Sequence, residues 1–194
     1  MPDYNPSVAL IVVDVQNDFA DPNGSLFVQG GDMVVARVND EVQLAVAGQA
    51  LVAYTQDWHP PSTPHFAKDG GTWPVHCVAG TWGAELHPGL VVAGPCVRKG
   101  THGEDGYSGF TMRDPTSGEE LPTPLESLLR AHGTTRVAIC GLATDYCVRG
   151  TVLDACRLGF DTMLLTEAVA AVELAPGDAA HALAEMADAG ARLE

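Results

Sequence analysis

Six consecutive apolar residues, Val8 to Val13 (VALIVV), run straight into a carboxylate, Asp14. Most of the six are β-branched, which predicts a strand. With no polar position on either face, that strand must be covered on both sides, as in a parallel sheet between two layers of helices.

The rest of the chain alternates in the same sense. Apolar positions at Val34, Val35, Val38, Val42 and Ala45 predict a helix over residues 33–47, closed by Gly48. Further strands are expected at 51–55, 96–98, 137–140 and 162–165, with an edge strand at 191–193. Helices are expected at 125–132, 147–158 and 175–189. This alternation predicts an α/β architecture: an open, mostly parallel sheet of about six strands with helices on both faces. No low-complexity stretch, charge block or internal repeat interrupts it, so residues 1–194 read as one domain.

Charge and cysteine usage narrow the partners. Ten Lys and Arg stand against 25 Asp and Glu, a net charge of −15. Such a surface repels phosphate backbones and anionic lipid, which makes nucleic acid and membranes poor partners. No apolar run reaches the roughly 18 residues of a membrane span. Residues 1–6 also lack the basic start and cleavage site of a secretory signal. The five cysteines, at 77, 96, 140, 147 and 156, form no CxxC pair. Their odd number and spacing predict reduced thiols in the cytoplasm.

Ligands of open α/β sheets bind beyond the carboxyl ends of the strands, and here those ends carry reactive groups. Asp14 follows the first strand, Asp57 and His59 the second, and Lys99 the third. The fourth runs into Gly141-Leu142-Ala143-Thr144-Asp145-Tyr146-Cys147, which opens a helix. A thiol in the first turn of a helix faces the positive end of the dipole, which predicts a Cys147 pKa below the ordinary value of about 8.5. Acid, ammonium and thiol at one sheet edge supply a base, a charge partner and a nucleophile. Asp57 and His59 lie two apart on an extended segment, so they point to one side and can share an ion. His65 and His76 follow in the same loop. One carboxylate with two or three imidazoles suits Zn²⁺, Mn²⁺ or Fe²⁺ with open positions. The same residues would also serve a non-catalytic module that holds a metal or a partner.

Longer stretches then line up. They are Val13-Asp14-Val15-Gln16-Asn17-Asp18-Phe19, Asp57-Trp58-His59, Trp73 to Thr81 (WPVHCVAGT), Lys99-Gly100, Tyr107-Ser108-Gly109-Phe110, and Gly141 to Arg149. In this order, over nearly the whole chain, they resemble the isochorismatase-like cysteine hydrolase family, and within it the nicotinamidases that also act on pyrazinamide. The resemblance implies a catalytic trio of Asp14, Lys99 and Cys147. It implies metal ligands Asp57, His59 and His76, while His65 matches a histidine that ligates in some members and not in others. The ion implied is one divalent transition metal per chain, zinc first, iron or manganese next. A cis peptide before Ala143, an oxyanion hole from the amides of Ala143 and Cys147, and a ring pocket of Phe19, Leu26, Trp73 and Tyr107 are implied as well. Tyr146 stands where some relatives have histidine.

The expected reaction is hydrolysis of nicotinamide to nicotinate and ammonia through a thioester, and of pyrazinamide likewise. A small molecule is the expected partner, and homo-oligomerisation is left open. A relative of the same fold acting on another small amide or an enol ether is the alternative.

Overall fold

The computed structural model describes residues 2–194. It begins with β1 (Val8–Val13), a short helix α1 (Asn17–Ala20), the long helix α2 (Gly31–Ala47) and β2 (Leu51–Asp57). A long loop leads to β3 (Cys96–Lys99), a hairpin of β4 (Thr111–Arg113) and β5 (Glu120–Pro122), and α3 (Leu125–Ala131). Then β6 (Arg136–Leu142) enters a π-turn (Thr144–Val148) that continues as α4 (Arg149–Arg157). The elements β7 (Asp161–Ala170), α5 (Asp178–Asp188) and β8 (Arg192–Leu193) follow.

Six strands form one parallel sheet in the order β3-β2-β1-β6-β7-β8. The chain builds outward from β1 to β3, then returns to place β6 on the other side of β1. The strand order therefore reverses between β1 and β6, where open α/β sheets leave a crevice for ligands.

The apolar run of β1 is explained by burial on both faces. Val8, Leu10 and Val12 enter one core with Val34, Val35, Val38, Val42 and Ala45 of α2. Ala9, Ile11 and Val13 enter the other with Leu125, Leu129, Val152, Ala155, Ala182 and Met186 from α3, α4 and α5. Each large aliphatic side chain so withdrawn contributes about 1.5–3 kcal/mol before the cost of ordering it.

Differences from the expected elements have local causes. The last helix starts at Asp178 instead of 175 because Gly177 takes a left-handed φ of +98° ahead of it. The strand expected at 162–165 extends to Ala170, since β6 keeps pairing with it as far as Leu142 against Ala170. Polar Thr166 and Glu167 hide that extension from a hydrophobicity pattern. The segment expected as a helix from 147 is a π-turn up to Val148 and α-helical only from Arg149. The β4–β5 hairpin was not anticipated; strands of three residues carry too little alternation to read. Among the described residues no helix is long and apolar enough to cross a membrane. All five cysteines are free.

Candidate active site and metal centre

The carboxyl ends of β1, β2, β3 and β6 converge on one buried ammonium. Lys99 Nζ lies 2.9 Å from Asp14 Oδ2 and 3.5 Å from Cys147 Sγ, and also donates to Asp57 Oδ1. The parallel register of β2 and β3 sets Asp57 beside Lys99. Asp14 ends its strand in a left-handed conformation (φ +48°), unusual outside glycine but tolerated by Asp. Thr55 fixes it on both sides. Its hydroxyl donates to Asp14 Oδ1 at 2.6 Å and accepts from the Asp14 amide at 3.2 Å.

At the switch point, Gly141 has φ +113°, and a β-carbon there would collide with the Val13 carbonyl oxygen. Glycine therefore lets β6 pass against β1 just before the turn that carries Cys147. The Leu142–Ala143 peptide is cis.

Burial dominates the electrostatics of this cluster. It raises the Asp14 carboxyl above its usual range, with Lys99 opposing. It also pushes the Cys147 thiol well above its ordinary value; Lys99 opposes this, while Asp14 and Asp57 add to it. The expectation of a lowered thiol is thus corrected. Cys147 sits inside the π-turn and not in the first turn of α4, and desolvation outweighs the pull of the Lys99 ammonium. Burial would raise Asp57 too, but Lys99, His59 and His76 hold its carboxyl well below the usual range. Lys99 stays charged because Asp14 and Asp57 more than offset its desolvation.

Beside the trio stand three imidazoles. His59, His65 and His76 bring one ring nitrogen each within 4.8 Å of one another, all buried. His59 Nε2 and His76 Nε2 lie 3.8 and 3.9 Å from Asp57 Oδ2. The Nδ1 of His76 donates to the Pro74 carbonyl at 2.7 Å, so its Nε2 keeps a free lone pair. Burial lowers the His76 pKa to about 4, which leaves the ring neutral near pH 7. His59 is buried with neither ring nitrogen hydrogen-bonded, a costly state that a cation would relieve. Neutral imidazoles with one carboxylate are a donor set that zinc accepts. Gly100, with φ +76°, keeps the space: a β-carbon there would lie 2.7 Å from His59 Nδ1. Gln16 holds the Asp57 backbone, accepting from its amide and donating to its carbonyl, both at 2.8 Å.

A small cavity opens over both groups. Its lining includes Cys147, Asp57, His65 and His76 together with Phe19, Leu26, Trp73, Tyr107, Ala143, Tyr146 and Val172. The Trp73 indole donates to the Tyr107 hydroxyl at 3.0 Å, and Tyr146 meets both rings edge-on. Asp145 accepts from the amides of Val172 and Glu173 at 3.0 and 2.7 Å, which brings Val172 into the wall. A roomier hollow beside Glu41 and Glu167, about 410 Å³, has neither thiol nor imidazole.

All residues expected at the site on sequence grounds lie in this region: the trio, the three histidines with Asp57, and the four pocket residues. Sequence reasoning missed Thr55, Gln16, Asp105 and Asp145. One of these was open to detection, because Thr55 is a polar residue near the end of a strand otherwise destined for the interior.

Comparison with known proteins gives the family and the fold. The family model described as Isochorismatase domain matches residues 8–194. The nicotinamidase of Escherichia coli (strain K12) is 38% identical over 207 residues, covering 97% of this chain and 94% of its own. The crystal structure of the pyrazinamidase of Pyrococcus horikoshii in complex with zinc has a TM-score of 0.86 and 41% identity, covering 97% of this chain and 99% of that one. PnC1 from L. infantum in complex with nicotinate superposes with a TM-score of 0.86 at 38% identity, covering 98% and 94%. Fold, sequence and strand-end chemistry thus lead to one assignment: the chain belongs to the isochorismatase family.

Proposed function

We propose that this chain is a nicotinamidase, hydrolysing nicotinamide to nicotinate and ammonia and deamidating pyrazinamide in the same pocket. One observation carries the reading. Lys99 gathers Asp14 and Cys147 within 2.9 and 3.5 Å of its ammonium, and Cys147 lines one cavity together with His65 and His76.

In this reading Cys147 is the nucleophile and Asp14 the proton carrier. The raised thiol keeps its proton at rest, and the raised carboxyl is a stronger base than an exposed one. Asp14 takes the proton as Cys147 Sγ attacks the carboxamide carbon, then passes it to the departing ammonia. A thioester remains on Cys147, and water cleaves it to the carboxylate. The amides of Ala143 and Cys147 receive the developing oxyanion. Lys99, charged throughout, holds acid and thiol in register and balances their negative charge. Phe19, Leu26, Trp73 and Tyr107 clasp the ring, and the bond from Trp73 to Tyr107 stiffens that wall.

Asp57, His59, His65 and His76 would hold one divalent ion, zinc by preference for three imidazoles and a carboxylate. When bound, the ion supplies a coordination position for a ring nitrogen and so helps to orient the carboxamide.

The test is product formation by zinc-loaded protein given nicotinamide. Ammonia and nicotinate should appear in equal amounts. Nicotinamide recovered intact would overturn the assignment.

A further inference from the structure

A second carboxylate, besides Asp57, reaches one of the three imidazoles. Asp105 lies in the loop between β3 and β4, forty residues beyond His65 in sequence. Its Oδ1 lies 2.8 Å from His65 Nδ1 and also accepts from the Gly106 amide at 2.8 Å. The backbone of Asp105 is itself tied down. Its amide donates to the Arg113 carbonyl at 2.8 Å, and the Arg113 amide donates back at 2.6 Å. The carboxylate is thus anchored to β4, while the imidazole it touches stacks on His59 with ring centroids 4.8 Å apart.

The chemistry of this contact is directional. A carboxylate can only accept, so the hydrogen of a neutral His65 sits on Nδ1 and the lone pair on Nε2. His76 has the same arrangement by another route, with its Nδ1 hydrogen given to the Pro74 carbonyl. Imidazoles that bind metals commonly donate their second N–H to a carboxylate or carbonyl, which fixes ring and tautomer. His59 has no such partner for either nitrogen.

We propose that Asp105 is the positioning residue that makes His65 a metal ligand in this chain, by taking its Nδ1 hydrogen and aiming its Nε2 at the ion. This rests on the reading of Asp57, His59, His65 and His76 as the ion site. It assigns the β4–β5 hairpin a part in that site, as the anchor of the carboxylate.

The test is zinc affinity, measured by competition with a chromophoric chelator on metal-stripped full-length protein. The variants are Asp105→Ala, Asp105→Asn, His65→Ala, His76→Ala and the double variant His65→Ala/Asp105→Ala. The His65 side chain is 7% exposed and that of Asp105 43%, so the Asp105 variants should fold, and their thermal melting without zinc checks this. Asp105→Ala should weaken zinc by about 10–100-fold, the usual effect of losing such a partner. Asp105→Asn, which keeps an acceptor oxygen, should fall between alanine and wild type. With His65 already replaced, Asp105→Ala should cost nothing further. The proposal is overturned if Asp105→Ala leaves zinc affinity unchanged, or weakens it equally with and without His65. It is also overturned if His65→Ala is silent while His76→Ala loses zinc, a result that keeps the ion site and removes His65 from it. If no histidine variant alters zinc affinity, the reading of the ion site itself fails.

Discussion

The ammonium of Lys99 and the carboxylate of Asp14 stand 2.9 Å apart, with both side chains withdrawn from solvent. They come from the ends of strands separated by β2, so the contact exists only once the sheet has formed. The same ammonium also meets Asp57 and Cys147, which makes it the one positive charge shared by the trio and the metal region.

Lys99→Met should therefore affect stability as well as chemistry. It leaves Asp14 and Asp57 buried without their cation, and breaking a buried pair in this way costs about 3–5 kcal/mol. Urea unfolding of metal-free protein, with the slope unchanged, should show a loss on that scale together with loss of turnover. A change below about 1 kcal/mol would be that of a solvated surface pair and would contradict the burial described here.

The thiol gives a pH prediction with a definite sign. Burial raises the Cys147 pKa in the folded protein, so the thiolate fraction keeps growing above the ordinary thiol value of about 8.5. Alkylation of the Cys147 peptide by iodoacetamide, followed by mass spectrometry, should accelerate steadily past that pH in substrate-free protein. A plateau at or below pH 7 would reveal a resting thiolate and restore the helix-dipole argument that the structure displaces.

Ring recognition should separate benzamide from two amides of similar size. Nicotinamide and pyrazinamide both carry a ring nitrogen meta to the carboxamide, and benzamide has none. If that nitrogen helps to position the amide over Cys147, benzamide should be hydrolysed at least ~100-fold more slowly through misplacement alone. Initial rates of ammonia release under matched conditions compare the three. Equal rates for benzamide and nicotinamide would leave positioning to Phe19, Trp73 and Tyr107.

Much of this arrangement was legible in the sequence because a parallel sheet sends successive strand ends to one edge. Once VALIVV was read as a doubly covered strand, Asp14, Asp57, Lys99 and the turn to Cys147 were all placed at that edge, though not yet beside one another. The supporting contacts were not legible. Asp105 reaches His65 from forty residues away, and no local pattern encodes that distance. Asp145 looks like part of the turn to Cys147, yet its oxygens hold Val172 and Glu173 just past the end of β7. The direction of the Cys147 pKa was misread for a related reason. A helix start is visible in sequence, whereas the depth of burial that overrides it depends on the packed fold.

The claim on which the account depends is that Cys147 performs the attack. It is tested most directly by ammonia release from nicotinamide with Cys147→Ala beside wild type, both zinc-loaded and with matching thermal melting. The account predicts turnover by the wild type and none above background in the variant. Hydrolysis by Cys147→Ala at a rate approaching the wild type would contradict it, since no thioester could then lie on the path.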